Sequence, residues 1–168
     1  MLLFDLGDVL VENGAIIDSL KVILRRDIDE AAMKEQWLRS PSARDFELGR
    51  VSPGVFATRF LEEWDSDMAP AEFLSELARW LGRPYPGAAE LLTRLRKHHH
   101  VSCLSNCNEL HWAKLTEFLQ NFDSVFSSHL LGEINEGPAP GAGGRRRHAG
   151  AAMRSQKTQE GLPGRGKK

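Results

Sequence analysis

The stretch Met1-Leu2-Leu3-Phe4-Asp5-Leu6-Gly7-Asp8-Val9-Leu10-Val11 opens the chain and indicates its fold class. A continuous apolar run ends at a carboxylate, and a glycine and a second carboxylate follow before apolar residues resume. Such a run, bounded by a turn signal, is typical of a strand buried on both faces of a parallel sheet. Because ligands bind beyond the carboxyl ends of these strands, Asp5 is a candidate reacting group and Gly7 would let backbone approach it closely. The alternative is that Asp5 only caps a turn.

Composition places the chain among ordinary globular proteins. It has 168 residues, of which 41% are hydrophobic and 27% charged, enough for one domain or for a core with an inserted subdomain. No run approaches the roughly 20 apolar residues of a membrane span. A strand beginning at Met1 leaves no room for a secretory signal, and two cysteines are too few for a disulfide scaffold. These features predict a cytoplasmic protein.

Two groups of residues could be metal ligands, but their spacing and their positions in the sequence do not favour a metal site. Cys103, Cys107 and His111 are four residues apart in turn, but no fourth ligand lies nearby in the sequence. The run His98-His99-His100 follows an amphipathic helix, where polar or cationic residues suit the helix C-terminus without a metal.

Charge is divided unevenly along the chain. Residues 135–168 hold eight Lys/Arg and two Asp/Glu, a net charge of +6, whereas residues 1–134 hold 14 and 21, a net charge of −7. The same 34 residues contain eight glycines and only two large apolar side chains, Met153 and Leu162. They cannot bury enough apolar surface to fold, so we expect a disordered basic Gly/Arg-rich tail. Nucleic acid is not favoured as its partner, because solvated basic tails are common.

Periodicity divides residues 1–134 into a core and an insert. Apolar residues recur at helical spacing through residues 14–83, with the last of these helices running to Leu81, and Glu12-Asn13-Gly14 has the composition of a turn. Further elements are predicted as a helix at 88–97, a strand at 101–106, a helix at 108–118 and a strand at 124–127. The order predicts a parallel α/β core, residues 1–13 and 84–134, with right-handed crossovers and a helical insert.

Three motifs in order carry a family resemblance. They are Phe4-Asp5-Leu6-Gly7-Asp8-Val9-Leu10, Phe46-Glu47-Leu48-Gly49 inside the insert, and Leu104-Ser105-Asn106 followed by Asn108-Glu109-Leu110-His111-Trp112. Together they resemble the haloacid dehalogenase (HAD) superfamily, in the helical-cap subfamily, and most closely its small-molecule phosphatases, including the sugar-phosphate phosphatase branch. The resemblance covers residues 1–134 and implies a HAD-like Rossmannoid sheet, here incomplete with about three strands, in which residues 14–83 are the α-helical cap.

The resemblance implies roles for four residues. Asp5 matches the nucleophile that forms an aspartyl phosphate, and Mg²⁺ would be held by its carboxylate and by the backbone carbonyl of Gly7. Ser105 matches the hydroxyl that holds a phosphate oxygen, with Asn106 beside it. The implied substrate is a small phosphorylated metabolite, selected by the cap.

The sequence departs from the family pattern at the acid that protonates the leaving group. Most of the family's phosphatases carry that acid two residues after the nucleophile, where this chain has Gly7. The Asp-Leu-Gly branch tolerates this difference. The departure also leaves open a haloacid dehalogenase-like reaction, which needs neither that acid nor a metal.

A second departure lies at the end of the resemblance. The expected Lys-Pro is replaced by Asn135-Glu136-Gly137, and no apolar strand ending in acidic metal ligands follows. We therefore expect weak activity or none, since positioning and charge neutralisation dominate phosphoryl transfer. A frameshift or aberrant splice that replaced the C-terminal third is one hypothesis. It fails if no reading frame of the encoding DNA restores those motifs.

Loss of the C-terminal strand also affects the first strand. In the family the first strand is central, with the C-terminal strand beside it. Loss of the C-terminal strand would therefore leave Leu2–Leu6 as an open edge able to pair with another chain. The alternative to an enzyme is a noncatalytic partner- or nucleic-acid-binding module, which binds through its helical cap or its basic tail and dimerises through the exposed strand.

Overall fold

Three parallel strands form the main sheet of the computed structural model, which describes residues 1–13, 16–25 and 29–134. The strands of the chain are β1 (Leu2–Phe4), β2 (Val11–Asn13), β3 (Leu81–Pro84), β4 (Val101–Ser105) and β5 (Ser124–Ser127). The order in the sheet is β1-β4-β5, with Phe4 opposite Cys103 and Ser105 opposite Ser127. The predicted parallel α/β sheet of three strands is confirmed.

Nine helices lie within the described residues. They are α1 (Ile16–Leu24), α2 (Glu30–Arg39), α3 (Pro41–Glu47), α4 (Pro53–Glu63), α5 (Pro70–Arg79), α6 (Ala88–Arg96), α7 (Glu109–Lys114), α8 (Thr116–Leu119) and α9 (Ser128–Leu131). Helices α1 to α5 fall inside the predicted insert, and α6 to α8 connect the strands of the sheet. None of the helices in the described part of the chain is long and apolar enough to cross a membrane.

The sequence prediction was wrong where the insert joins the core. Instead of a turn at Glu12-Asn13 and a helix reaching Leu81, residues Val11–Asn13 and Leu81–Pro84 pair as an antiparallel two-stranded sheet. Gly82 and Pro84 are poor helix formers, and pairing satisfies backbone groups that a helix over these residues would leave unpaired. The two ends of the insert are thereby held side by side.

Helix α3 was also not anticipated. Ser40 is its N-cap, since Ser40 Oγ accepts a hydrogen bond from the Ala43 N–H at 3.1 Å, and Pro41 occupies the first helical position. The Glu63 carboxylate accepts further bonds from the Ser40 and Ser42 hydroxyls, which ties α3 to α4.

Two apolar clusters correspond to the insert and to the sheet. The insert cluster is dominated by aromatic side chains, of which Phe56, Phe60, Trp64 and Phe73 are fully buried. The sheet cluster joins strand residues such as Val101 and Cys103 to Leu92 of α6 and to side chains of α8 and its flanks.

Residues 1–134 form one compact unit. The predicted disordered tail, residues 135–168, and the Asn135-Glu136-Gly137 segment lie outside the described residues.

Candidate functional site

The carboxyl ends of β1 and β4 bring Asp5 and Ser105 together. Ser105 Oγ donates a hydrogen bond to Asp5 Oδ1 at 2.8 Å, and the Leu6 N–H donates to the same oxygen at 2.7 Å. Ser105 is buried, with 5% of its surface exposed, whereas Asp5 is open to solvent. Both donors bind Oδ1. They orient the carboxylate, and neither of these bonds involves Oδ2. An oriented, accessible carboxylate can act as a nucleophile or as a metal ligand.

Asp8 belongs to the turn that follows β1. Its backbone is in the left-handed region, with φ of 57°, its N–H donates to the Val11 carbonyl, and its Oδ1 accepts from the Asn13 N–H at 3.3 Å. The Asp8 side chain therefore stabilises the turn. A Cβ atom on Gly7 would meet Asn13 Nδ2 at 3.4 Å, an ordinary contact, so the fold itself does not require glycine there. The close approach of Gly7 to a ligand stays a prediction.

The loop after β4 is fastened to the end of β5. Asn106 is exposed in this loop, and the next residue, Cys107, donates its N–H to Ser128 Oγ at 3.0 Å. The Cys107 carbonyl accepts from Ser127 Oγ at 3.0 Å and from His129 Nδ1 at 2.7 Å. These contacts could not be predicted from the sequence, because they join residues about 20 positions apart. They fix the backbone on which Ser105 and Asn106 lie.

The insert touches the same edge of the sheet through the end of α3. Ser128 Oγ donates to the Glu47 carbonyl at 2.6 Å. Gly49 has φ of 68°, and a Cβ atom there would lie 2.2 Å from the His129 carbonyl oxygen, so backbone meets backbone directly. The Phe46-Glu47-Leu48-Gly49 motif thus docks the insert beside the carboxyl ends of the strands.

Glu47 is a candidate site residue that the sequence analysis did not select. Burial raises the pKa of its carboxyl, and the positive charge of Arg44 opposes that shift. The negative charges of Glu47 and Asp5 both add to the rise that burial causes in the pKa of Cys107. Both carboxylates therefore lie close enough to this thiol to act on it electrostatically. The motif Phe46-Glu47-Leu48-Gly49 could have identified Glu47, since it is a carboxylate between the apolar residues Phe46 and Leu48.

The two cysteines are free thiols. Burial is the main cause that raises the pKa of Cys103 and of Cys107 to about 12 each, and the Asp5 charge adds to both shifts. They are therefore protonated and poor nucleophiles at neutral pH.

His111 is used for packing between the insert and the core. Its Nε2–H donates to the Leu77 carbonyl at 2.8 Å and its Nδ1 accepts from Asn108 Nδ2 at 3.2 Å, as the hydrogen-bond partners assign the tautomer. The described residues contain no group of three or more His, Cys, Asp or Glu side chains placed to hold a metal ion. The metal alternative at Cys103, Cys107 and His111 gains no support.

The donors near Asp5 suit one kind of cation site. Mg²⁺ commonly binds through one or two carboxylates and otherwise keeps water and substrate phosphate as ligands. The Asp5 carboxylate and the Gly7 carbonyl fit that requirement, and they do not amount to a cage made by protein alone.

Comparisons with known proteins agree with this fold. A family model described as haloacid dehalogenase-like hydrolase matches residues 3–162. A HAD family enzyme of Bacteroides thetaiotaomicron has a similar structure, with a TM-score of 0.68 and 19% identity over 96% of this chain and 78% of that chain. Its wild-type complex with magnesium and inorganic phosphate gives a TM-score of 0.67 and 17% identity over the same shares.

A predicted HAD-like family hydrolase of Porphyromonas gingivalis is also similar, with a TM-score of 0.66 and 19% identity over 96% of this chain and 76% of that chain. A search of curated proteins found no significant match. At these identities the solved structures establish the fold, and the family model establishes the membership. The chain belongs to the haloacid dehalogenase-like hydrolase family.

Proposed function

We propose that this chain is a phosphatase-type hydrolase of small phosphorylated metabolites, dependent on Mg²⁺, in which Asp5 is the nucleophile and turnover is slow. The observation that carries the proposal is the hydrogen bond from Ser105 Oγ to Asp5 Oδ1 at the carboxyl edge of the parallel sheet. The similar B. thetaiotaomicron enzyme has been crystallised with magnesium and inorganic phosphate, which supports the choice of reaction.

The reaction divides into two displacements. An Asp5 carboxylate oxygen attacks phosphorus, the Asp5–phosphorus bond forms, and the bond to the leaving oxygen breaks. The leaving oxygen takes a proton from solvent. Water then attacks phosphorus and loses a proton to solvent, the bond between Asp5 and phosphorus breaks, and phosphate and the free carboxylate are released. Ser105 orients Asp5 before attack and holds a phosphate oxygen once substrate is bound, with Asn106 beside it. Mg²⁺, held by Asp5 and the Gly7 carbonyl, would neutralise charge between carboxylate and phosphate.

We expect slow turnover because groups that the family pattern requires have no counterpart in this sequence. Gly7 cannot donate a proton to the leaving oxygen, and Asp8 is engaged in the turn. The Lys-Pro and acidic ligands expected after residue 134 have no match in the sequence. Loss of the lysine and of the acidic ligands removes electrostatic stabilisation of the transition state, at a cost of about 10²–10³ in rate for each group. The Gly7 difference weighs less, because the branch that the chain resembles tolerates it.

Hydrolysis of p-nitrophenyl phosphate with and without Mg²⁺ tests the proposal. We expect a slow rate that chelation of Mg²⁺ abolishes and that Asp5→Asn reduces to the uncatalysed background. Asp8→Asn is the matched control, because it changes a nearby carboxylate of the turn and should retain the rate. A wild-type rate no higher than background, or an Asp5→Asn variant as active as wild type, would refute the assignment.

We also propose a cytoplasmic location. The free thiols of Cys103 and Cys107 support it, since a reducing compartment keeps cysteines unpaired. Fractionation of cells that express the full chain would check this.

A further inference from the structure

Strand β1 has a hydrogen-bonded neighbour on one side only within the described residues. The Leu2 N–H donates to the His100 carbonyl at 2.9 Å, so Leu2 and Phe4 direct their backbone groups towards β4. By the alternation of a strand, the Leu3 N–H and carbonyl point to the opposite edge. All three β1 residues are half-exposed, whereas β4 is buried apart from Leu104. Such exposure is unusual for an apolar strand of a parallel sheet.

Helix α6 provides a groove on the same side. Arg96 Nε donates to Asp123 Oδ1 at 2.9 Å and Arg96 Nη1 to the Gln120 carbonyl, which marks the face of α6 towards α8. Arg94, two positions away, lies on the other side of the helix, and His98 follows the end of the helix. There a groove of about 430 Å³ is bounded by two leucines and four basic side chains: Leu91, Leu95, Arg94, Lys97, His98 and His99.

The groove and the open edge of β1 both carry exposed apolar side chains. Leu95 packs against the same core cluster as Leu2 and Phe4. Leu91 is 43% exposed and Met1 is 68% exposed. Exposed apolar side chains bordered by charged ones are typical of interaction surfaces.

We propose that a second copy of this chain covers this surface, by antiparallel pairing of the two β1 strands about a twofold axis at Leu3. The outward N–H and carbonyl of Leu3 exchange hydrogen bonds with Leu3 of the other copy, and Leu2 of each copy faces Phe4 of the other. An isologous contact of this kind closes as a dimer. The proposal is independent of the phosphatase function.

Charge favours this arrangement. Lys97 and His98 lie near the amino end of β1, as the bond between Leu2 and His100 shows, and Asp5 and Asp8 follow its carboxyl end. Antiparallel pairing brings the basic end of one copy to the acidic end of the other, twice in each dimer. Such complementarity steers association and fixes register.

The tail is a poorer occupant on sequence grounds. Residues 135–168 carry a net charge of +6, the same sign as the groove, and hold only two large apolar side chains. A segment of that composition supplies no apolar strand and only two acidic side chains against eight basic ones.

Sedimentation equilibrium of the full chain at increasing concentration tests the proposal. We expect a reversible monomer–dimer equilibrium that salt weakens. Leu3→Pro should abolish the dimer yet preserve the monomer fold, because it removes only an N–H that faces away from β4. Leu91→Lys, which adds a cation to the groove, should raise the dimer dissociation constant at least about tenfold. Val22→Lys is the matched control: Val22 is 61% exposed on α1 and its replacement should leave the equilibrium unchanged.

Disulfide trapping makes the test independent of whether Leu3→Pro folds. Facing Cα atoms in a hydrogen-bonded antiparallel pair lie about 5.5 Å apart, within reach of a disulfide. Leu3→Cys should therefore cross-link two copies under mild oxidation, and Val22→Cys should not. A monomer at every concentration with no trapping at residue 3 overturns the proposal. A dimer insensitive to both Leu3→Pro and Leu91→Lys also overturns it, because another surface would then be responsible.

Discussion

Ser105 Oγ donates a hydrogen bond to Asp5 Oδ1 at 2.8 Å, although 100 residues separate the two side chains in sequence. Parallel pairing of β1 with β4 is what brings them together, since each residue stands where its strand ends. The rest of the neighbourhood, including the contacts of Glu47, Ser127 and Ser128, is arranged around that edge.

Removal of the Ser105 hydroxyl should impair catalysis more than folding. We expect Ser105→Ala to lower kcat/KM for p-nitrophenyl phosphate about 10- to 100-fold, because an oriented donor to a reacting group is lost. Ser102→Ala is a control on the same strand: Ser102 Oγ is buried and has no hydrogen-bond partner among the described residues. That variant should keep its activity and unfold at the same or a slightly higher temperature. Equal losses in the two variants would argue against a role of Ser105 in the site.

Gly49 should be among the least replaceable residues of the insert. In Gly49→Ala the new Cβ would meet the His129 carbonyl oxygen and the backbone would be strained at φ of 68°. Gly87→Ala isolates the second effect, since Gly87 has φ of 83° and nothing within 4 Å of its Cβ position. Urea unfolding should show a loss of about 1–2 kcal/mol for Gly87→Ala and about 3 kcal/mol or more for Gly49→Ala. Similar losses of stability in the two variants would mean that the close approach of Gly49 to the His129 carbonyl of α9 does not limit which residue can stand at position 49.

The partly buried Glu47 carboxyl should make stability fall as pH rises. Its pKa in the folded chain is raised above the ordinary 4.5, so the folded state binds the proton more tightly than the unfolded state does. Its contribution is present below pH 4.5 and is lost as pH rises through the folded pKa. The Glu47→Gln side chain cannot ionise. The unfolding temperature of this variant should therefore rise relative to that of wild type as pH increases. A constant difference between the two across pH would show that the Glu47 carboxyl is not desolvated.

His111 should affect the pH dependence of stability in the opposite direction to Glu47, because its pKa is lowered in the folded chain. Burial lowers its pKa below the ordinary 6.5, the Leu77 carbonyl opposes that shift, and the Lys114 charge adds to it. The unfolded state thus binds the proton more readily, and the stabilising effect is present above pH 6.5 and lost as pH falls through the folded pKa.

Between pH 7 and 5, urea unfolding of wild type should lose more stability than that of His111→Gln, which keeps a donor for the Leu77 carbonyl. His98→Gln, at an exposed position, should follow wild type. A His111→Gln variant that parallels wild type would exclude His111 as the titrating group.

Several features of the chain could be predicted from local sequence. The apolar run before Asp5 and the segment that ends at Ser105 have the pattern of buried strands, and both form strands of the parallel sheet. Ser52 and Pro53 predict the start of a helix, and α4 begins there. These features depend on periodicity and capping within a few residues, which is information that the sequence holds directly.

Features that depend on distant contacts could not be predicted in this way. The pairing of Val11–Asn13 with Leu81–Pro84 joins the two ends of the insert, and nothing local in either segment indicates the other. Glu47 gains its raised pKa only because α3 packs against the end of the sheet, where Ser128 binds its carbonyl.

The sequence by itself determined which residue ends the first strand, and so which carboxylate stands at the edge of the sheet. Only the tertiary structure decided what surrounds that carboxylate: Ser105 at 2.8 Å from Asp5, Asp8 held in the turn, and the insert anchored nearby through Glu47. The reason is physical. Strand and turn preferences act between neighbours in sequence, whereas burial, hydrogen bonds and charge act between neighbours in space.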